Sequence, residues 1–276
     1  MGLEPSLTDR SHRDIRFFLL HLAVAALITF LPAISVSAGD LTVAAASDLY
    51  FAFKELVPVY EKTSGNRVKL TFGSSGNFYA QIVNGAPFDL YFSADIGYPK
   101  KLIDEGLAVP NSLYQYATGR IVLWVPKGSS LDVTKGMDAL LDPAIKKIAI
   151  ANPKHAPYGR AAVSAMEHFK IYDRVKDKFV LGENVSQTAQ FAQSGAADIG
   201  IIALSLALAP SVQSVGSYWL IPQEAHPRID QGAAIIQASK NQDGGRKFLD
   251  LLQTPSARAV MKRYGFLLPE EDASSQ

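Results

Sequence analysis

The feature that most constrains this chain is an alternation. From residue 41 onward, short apolar runs of strand length take turns with stretches of helical period. The run LTVAAA (41–46) reads as a strand of the kind buried on both faces in a parallel sheet. Leu49, Phe53, Leu56 and Tyr60 follow at spacings of four, three and four, which places them on one face of a helix. RVKLTF (67–72) alternates Val68, Leu70 and Phe72 and predicts a second strand. Phe78 and Ile82 open another helix, FDLYFSAD (88–95) a third strand, and Leu102, Ile103 and Leu107 a third helix. A βαβαβα series of this kind folds as a sheet with helices on both faces, so the fold class is α/β.

A second series begins near Arg120. RIVLWVP (120–126), KKIAIA (146–151), KFVLG (178–182) and DIGIIAL (198–204) predict strands, and Ala161–Val175 and Gln187–Ser194 predict helices. GAAIIQAS (232–239) with Gly245–Leu252 reads as a return to strand and helix. A last helix follows over Ala257–Tyr264, and then the polar tail PEEDASSQ. No repeat or low-complexity linker separates the two series. Two α/β lobes set together in this way imply a cleft, and domain interfaces are preferred ligand sites. At 276 residues the chain can bury a core in each lobe.

The balance of charge narrows the ligand. The formal net charge of +1 offers no general attraction for nucleic acid or an anionic membrane, so any anion must be held locally. The chain has no cysteine, which excludes thiol catalysis, thiolate metal sites and a lipid-modified cysteine. At the N-terminus, Arg10, Arg13 and Arg16 precede an apolar run from Phe17 to Ile34, and Val36-Ser37-Ala38 has the small-x-small form of a signal peptidase site. The expectation is a signal peptide over 1–38 cleaved after Ala38 and a periplasmic mature chain from Gly39. An uncleaved membrane anchor is the alternative reading of the same run.

Open α/β sheets bind ligands beyond the carboxyl ends of their strands. Ser47 follows the first predicted strand and Ser74-Ser75 the second. Tyr158, in ANPKHAPYGRAA, follows the strand ending at Ala151, and Val185, in GENVSQTAQ, follows the one ending at Gly182. Each precedes a predicted helix. A helix start exposes unpaired N–H groups and a partial positive charge, and Ser and Tyr hydroxyls add neutral donors. Hydrogen bonds to a charged group contribute roughly 1.5–3 kcal/mol each, so six or seven of them suffice for a micromolar complex, which needs about 8 kcal/mol net. A serine at a helix start is also ordinarily an N-cap, and the two roles are compatible. Asp48 could cap the first helix with its carboxylate while its N–H faces the cleft. Arg160 sits in a first helical turn, where a cation opposes the dipole. It should pair with a carboxylate of the facing lobe, with the anion as the alternative partner. Asp95 should order a loop or cap the next helix, and His155 should be a solvated loop residue.

At AAAS, FGSSGNF, GAPFDLYFSAD, NPKHAPYGRAA and KRYGF the chain, from about Asp40 to Leu268, resembles the periplasmic molybdate-binding proteins of ABC transporters. The resemblance implies a type II periplasmic-binding-protein fold, with lobe 1 formed by 39–117 and 223–268, lobe 2 by 118–222, and a flexible tail at 269–276. It implies crossings near Tyr116–Gly119 and Ile221–Ala225. It implies no enzyme activity and no cofactor. The ligand it implies is molybdate or tungstate, held by Ser47, Ser75, Tyr158 and Val185 through hydroxyls and backbone N–H groups, with molybdenum present as an oxyanion and no bare metal cation. Many family members have a ligand tyrosine where this chain has Ala203 and an alanine where it has Tyr158, so the Tyr158 phenol is expected to replace the missing one. The implied partners are an inner-membrane ABC permease and no nucleic acid, with the protein a monomer.

A cradle of donors without an acceptor suits a fully deprotonated dianion and disfavours hydrogen phosphate. Sulfate, with shorter bonds, would sit too far from donors spaced for molybdate; tungstate would fit equally well. A receptor for another oxyanion such as sulfate is the nearest alternative. A serine hydrolase using Ser75 or Ser47 with His155 lacks a GxSxG elbow and an evident acid partner. A transcriptional effector domain lacks a helix-turn-helix segment.

Overall fold

The computed structural model describes residues 39–269, so the expected signal peptide and residues 270–276 lie outside the described residues. Two five-stranded mixed sheets carry the fold. The first has the order β2-β1-β3-β10-β4, from β1 (Asp40–Ala46), β2 (Arg67–Gly73), β3 (Leu90–Ser93), β4 (Tyr114–Gly119) and β10 (Ile229–Ile235). The second has the order β7-β6-β8-β5-β9, from β5 (Ile121–Pro126), β6 (Ile148–Ala151), β7 (Phe179–Gly182), β8 (Ile199–Ala203) and β9 (Gly216–Leu220). Among the described residues no helix is long and apolar enough to cross a membrane.

In each sheet three strands are parallel and in close register. Ala46 pairs with Gly73, and Ala45 with Phe92. In the second sheet Ala151 pairs with Gly182. The carboxyl ends of β1, β2 and β3 therefore lie level with one another, as do those of β6 and β7, and the chain leaves each end into a helical turn. This places Ser47, Ser74 and Asn184 at equivalent heights on their sheets.

The apolar periodicity is realised in the cores. Leu49, just before the Tyr50–Ser64 helix, and Phe53, Leu56 and Tyr60 within it are all buried, and Phe53 packs edge-on against Phe92 and Phe248. Such burial contributes about 1.5–3 kcal/mol per large side chain. Two strands escape the sequence patterns. β4 and β9 are edge strands, and β9 is half-exposed along its length, so neither carries a long apolar run. The strand expected at 232–239 begins instead at Ile229 and ends at Ile235, because Ser239 leaves the sheet to donate to Asp89. The helix expected over Ala161–Val175 runs from Pro157 to His168 and breaks at Lys170, whose φ of 58° is left-handed.

The chain leaves the first sheet at Gly119 and enters the second at Ile121, so Arg120 is the crossing; it returns between Leu220 and Ile229. The KRYGF segment fastens this point. Gly265, at φ 81°, ends the Pro255–Arg263 helix with a left-handed turn. Its carbonyl accepts from Nε and Nη2 of Arg120 at 3.0 and 2.7 Å. Leu267 and Thr118 exchange two backbone bonds, and Tyr264 donates to Glu55.

Candidate ligand-binding site

The facing strand ends enclose a small pocket lined by Ser47, Asp48, Ser74, Ser75, Tyr158 and Val185, among others, with a cavity volume of about 10 Å³. That is room for about one water-sized sphere, far below the roughly 300–1,000 Å³ of sites for organic ligands. Ser47, Ser75, Tyr158 and Val185, singled out from sequence, are all buried and all on this one pocket.

Neither serine is an N-cap. Ser47 opens a 3₁₀ turn (Ser47–Leu49) that has no side-chain cap, and its Oγ accepts from Ser186 N–H at 3.3 Å. Ser75 is the first residue of the Ser75–Val83 helix, after Ser74, and its Oγ accepts from Ala94 N–H at 2.9 Å. Each hydroxyl uses its lone pairs on a backbone N–H, which leaves its proton for a ligand. Val185 and Tyr158 lie in the first turns of the Val185–Gln193 and Pro157–His168 helices, where backbone N–H groups have no intrahelical acceptor. Gly159 is required beside them: a Cβ there would stand 2.0 Å from the Ala151 carbonyl oxygen. The cradle is thus hydroxyls and N–H groups from both sheets, with no cation on its wall.

Three expectations are corrected by the contacts. The Tyr158 phenol does not offer its proton to the pocket; it donates to Asp48 Oδ2 at 2.8 Å and accepts from Gln231 Nε2 at 2.9 Å. Burial, with the Asp48 charge second, raises its pKa well above the ordinary value, so it keeps that proton and donates it to the carboxylate. What Tyr158 adds to the cradle is its N–H. Asp48 caps no helix; its carboxyl is turned inward to Tyr158 and to Gln231 Nε2, at 2.7 Å. Burial raises it to about 6, against the lowering effect of Gln231 and Tyr158. His155 is not a solvated loop residue. Its Nδ1 lies 2.9 Å from Ser74 Oγ and its Nε2 3.7 Å from Glu183. Ser74 Oγ donates to the His155 carbonyl at 2.6 Å, so the imidazole donates to the hydroxyl rather than drawing its proton. The hydrolase reading, which paired His155 with Ser75 or Ser47, finds neither contact here.

Gln231 had no sequence signal. It lies between Asp230 and Gly232, just before an apolar run, and only the sheet brings it to Asp48 across 183 residues. Arg160 pairs with Asp95 of the facing lobe at 2.6 Å, as expected, and Asp95 Oδ1 accepts from Gly97 N–H. Among the described residues no group of three His, Asp or Glu side chains could hold a metal ion.

Residues 41–267 match the family model described as bacterial extracellular solute-binding protein. This chain belongs to that family. Within it, this solute-binding protein is 36% identical over 235 residues to the molybdate-binding protein ModA of Rhodobacter capsulatus, an alignment covering 85% of this chain and 91% of that one. It is 36% identical over 249 residues to ModA of Azotobacter vinelandii, covering 90% and 98%. The solved periplasmic molybdate-binding protein of Azotobacter vinelandii superposes with a TM-score of 0.78 at 34% identity, over 83% of this chain and 99% of that one. A sulfate-binding protein of Mycobacterium tuberculosis, at 16% identity and a TM-score of 0.70, shares the fold alone.

Proposed function

We propose that this protein captures molybdate, and equally tungstate, in the periplasm and delivers it as a monomer to an ABC permease. The observation that carries the reading is the uncharged cradle: Ser47 and Ser75 hydroxyls with the N–H groups of Tyr158 and Val185, converging from two sheets on one small buried pocket. Its likeness to the two ModA proteins supplies the ligand. A full set of such donors meets the affinity requirement without a charged side chain, because each bond to an anion is worth more than a neutral one. The lobes, 39–117 with 223–268 and 118–222, close on the anion about Arg120 and the return segment, a hinge motion driven by differential affinity. Closure is supported by backbone contact across the cleft: Gly76 N–H donates to the His155 carbonyl at 2.9 Å, and Ser186 Oγ to the Ser47 carbonyl at 2.8 Å.

The test is isothermal titration of residues 39–276 with molybdate, tungstate, sulfate and phosphate at pH 7. The expected result is tight one-to-one binding of the first two and weak binding of the others. Tight sulfate binding with weak molybdate would overturn the choice of ligand.

A further inference from the structure

Asp48 is an anomaly on this pocket. It is a carboxyl 1% exposed, on the wall of a cavity whose other features all favour an anion. Its Oδ2 is fully engaged, accepting from Tyr158 and Gln231. Its Oδ1 is buried and makes no hydrogen bond of ordinary geometry, the N–H groups of Asp48 and Leu49 favouring the carboxyl's charge less than Gln231 and Tyr158 do, and Gln231 Oε1 is likewise buried without a partner. An ionised carboxylate held this way would leave a bare acceptor beside a bound dianion, with no cation on the cradle to offset either charge. Buried charges without a counter-charge are avoided by taking up a proton.

We propose that Asp48 is protonated on Oδ1 when the site is loaded and donates that proton to the bound oxyanion, so that one proton enters the protein with each dianion captured. The inference rests on the oxyanion reading above. It converts the unpartnered oxygen into one more donor of the cradle while Oδ2 keeps its two present partners. It also revises the chemistry of the site: the cradle carries a titratable donor, and selection among anions includes how well each accepts that proton.

Most charged groups near Asp48 are paired with one another. Tyr158 on the opposite lobe and Tyr116 on β4 face it, and burial first, the Asp48 charge second, keeps both phenols protonated. Of the other elements packed on the Ser47–Leu49 turn, β2 ends in Gly73, and the Val185–Gln193 and Leu204–Ala207 helices bring Ser186 and Ser205. In the Tyr50–Ser64 helix Lys54 lies over Tyr50, Glu55 binds Arg263, Glu61 accepts from Val68 N–H, and Lys62 is exposed. On β10 Asp230 pairs with Arg228. Across the pocket His155 faces Ser74 and Glu183, and Arg160 is taken by Asp95. With the empty site titrating at about 6, Asp48 is mostly ionised at pH 7 before the dianion arrives, and a second negative charge beside it pushes its proton affinity up.

The experiment is calorimetric titration of residues 39–276 with sodium molybdate at pH 7 in PIPES, HEPES and imidazole buffers, whose ionisation heats differ. The slope of observed heat against buffer heat counts protons. The expected slope is close to one proton taken up per anion in the wild type and in His155→Gln, and close to zero in Asp48→Asn. Between pH 7 and 8 the wild-type affinity should fall toward tenfold, and that of Asp48→Asn should stay level. Molybdate binding with no proton uptake, or with uptake that persists in Asp48→Asn or vanishes in His155→Gln, overturns the inference and leaves the oxyanion reading intact. No binding of any of the four anions by the wild type overturns both. Should Asp48→Asn fail to fold, the wild-type slope, the His155→Gln slope and the pH dependence of wild-type affinity still decide.

Discussion

The wall of the pocket and its rim are built from opposite chemistries. On the wall, Ser47, Ser75, Tyr158 and Val185 are nearly inaccessible, and the donors they offer are neutral. On the rim, Arg160 and Asp95 form an ion pair with side chains 40% and 38% exposed, and Asn77 donates to an exposed Glu183. A half-exposed ion pair gains little, because water screens it and two long side chains must be ordered. A buried hydroxyl aimed at an anion gains more, since nothing else can satisfy either group once water is gone. The difference teaches that affinity should reside in the uncharged wall, and that the visible charges mainly set how the lobes meet.

The strongest way to break this contrast is to hold the lobes apart. A Cβ on Gly76 would stand 2.7 Å from the His155 carbonyl oxygen and 2.9 Å from the Tyr98 hydroxyl. Gly76→Val should lower oxyanion affinity about a hundredfold or more by preventing several wall donors from reaching the ion together, with an unchanged far-ultraviolet circular dichroism spectrum. Next, Ser75→Ala should lower affinity about 10- to 150-fold, the loss of one bond to a charge. An effect under threefold in calorimetry would remove Ser75 from the wall.

Asp48 sharpens the comparison by pH. Its carboxyl is raised from an ordinary 3.8 to about 6 in the fold. The folded state therefore holds the proton more tightly than the unfolded chain, and stability falls as pH rises between these values. Well below pH 3.8 both states are protonated and there is no cost. Above about pH 6 the cost is complete, at about 3 kcal/mol. In urea unfolding without ligand, wild type should lose most of that stability relative to Asp48→Asn from pH 4 to pH 7; parallel curves would mean Asp48 is not buried as described. The smallest effect belongs to the rim. Arg160→Ala should change affinity less than about fivefold, and high salt should shrink the change further. A loss as large as that of Ser75→Ala would reverse the contrast.

Much of the site was legible because donors at strand ends before helices follow from local pattern alone. Ser47, the Ser74-Ser75 pair, Tyr158 and Val185 were marked in this way, the family resemblance chose Ser75 from its pair, and a cation in an unfavourable helical turn pointed Arg160 to a carboxylate that the fold supplies as Asp95. The roles inside those positions were less legible. The Tyr158 phenol and its N–H have the same sequence address, and only the Asp48 contact separates them. Asp48 looked like a helix cap, since Asp at a helix start ordinarily is one, and its inward turn depends on Gln231 from a strand at the far end of the chain. His155 looked solvated because its neighbours in sequence are polar, while its half-buried ring meets Ser74 from the facing lobe and Glu183 from its own.

By itself, then, the sequence determined the α/β class, the two strand-and-helix series and the places where donors could gather, because hydrophobic period and helix starts are local properties of the chain. Tertiary structure decided which of those donors are spent and which remain. Ser74 is consumed by His155, the Tyr158 hydroxyl by Asp48, and the Ser47 and Ser75 protons are left over. That accounting depends on partners 19 to 139 residues apart, and a hydrogen-bond partner outside its own strand leaves no trace in that strand's spacing.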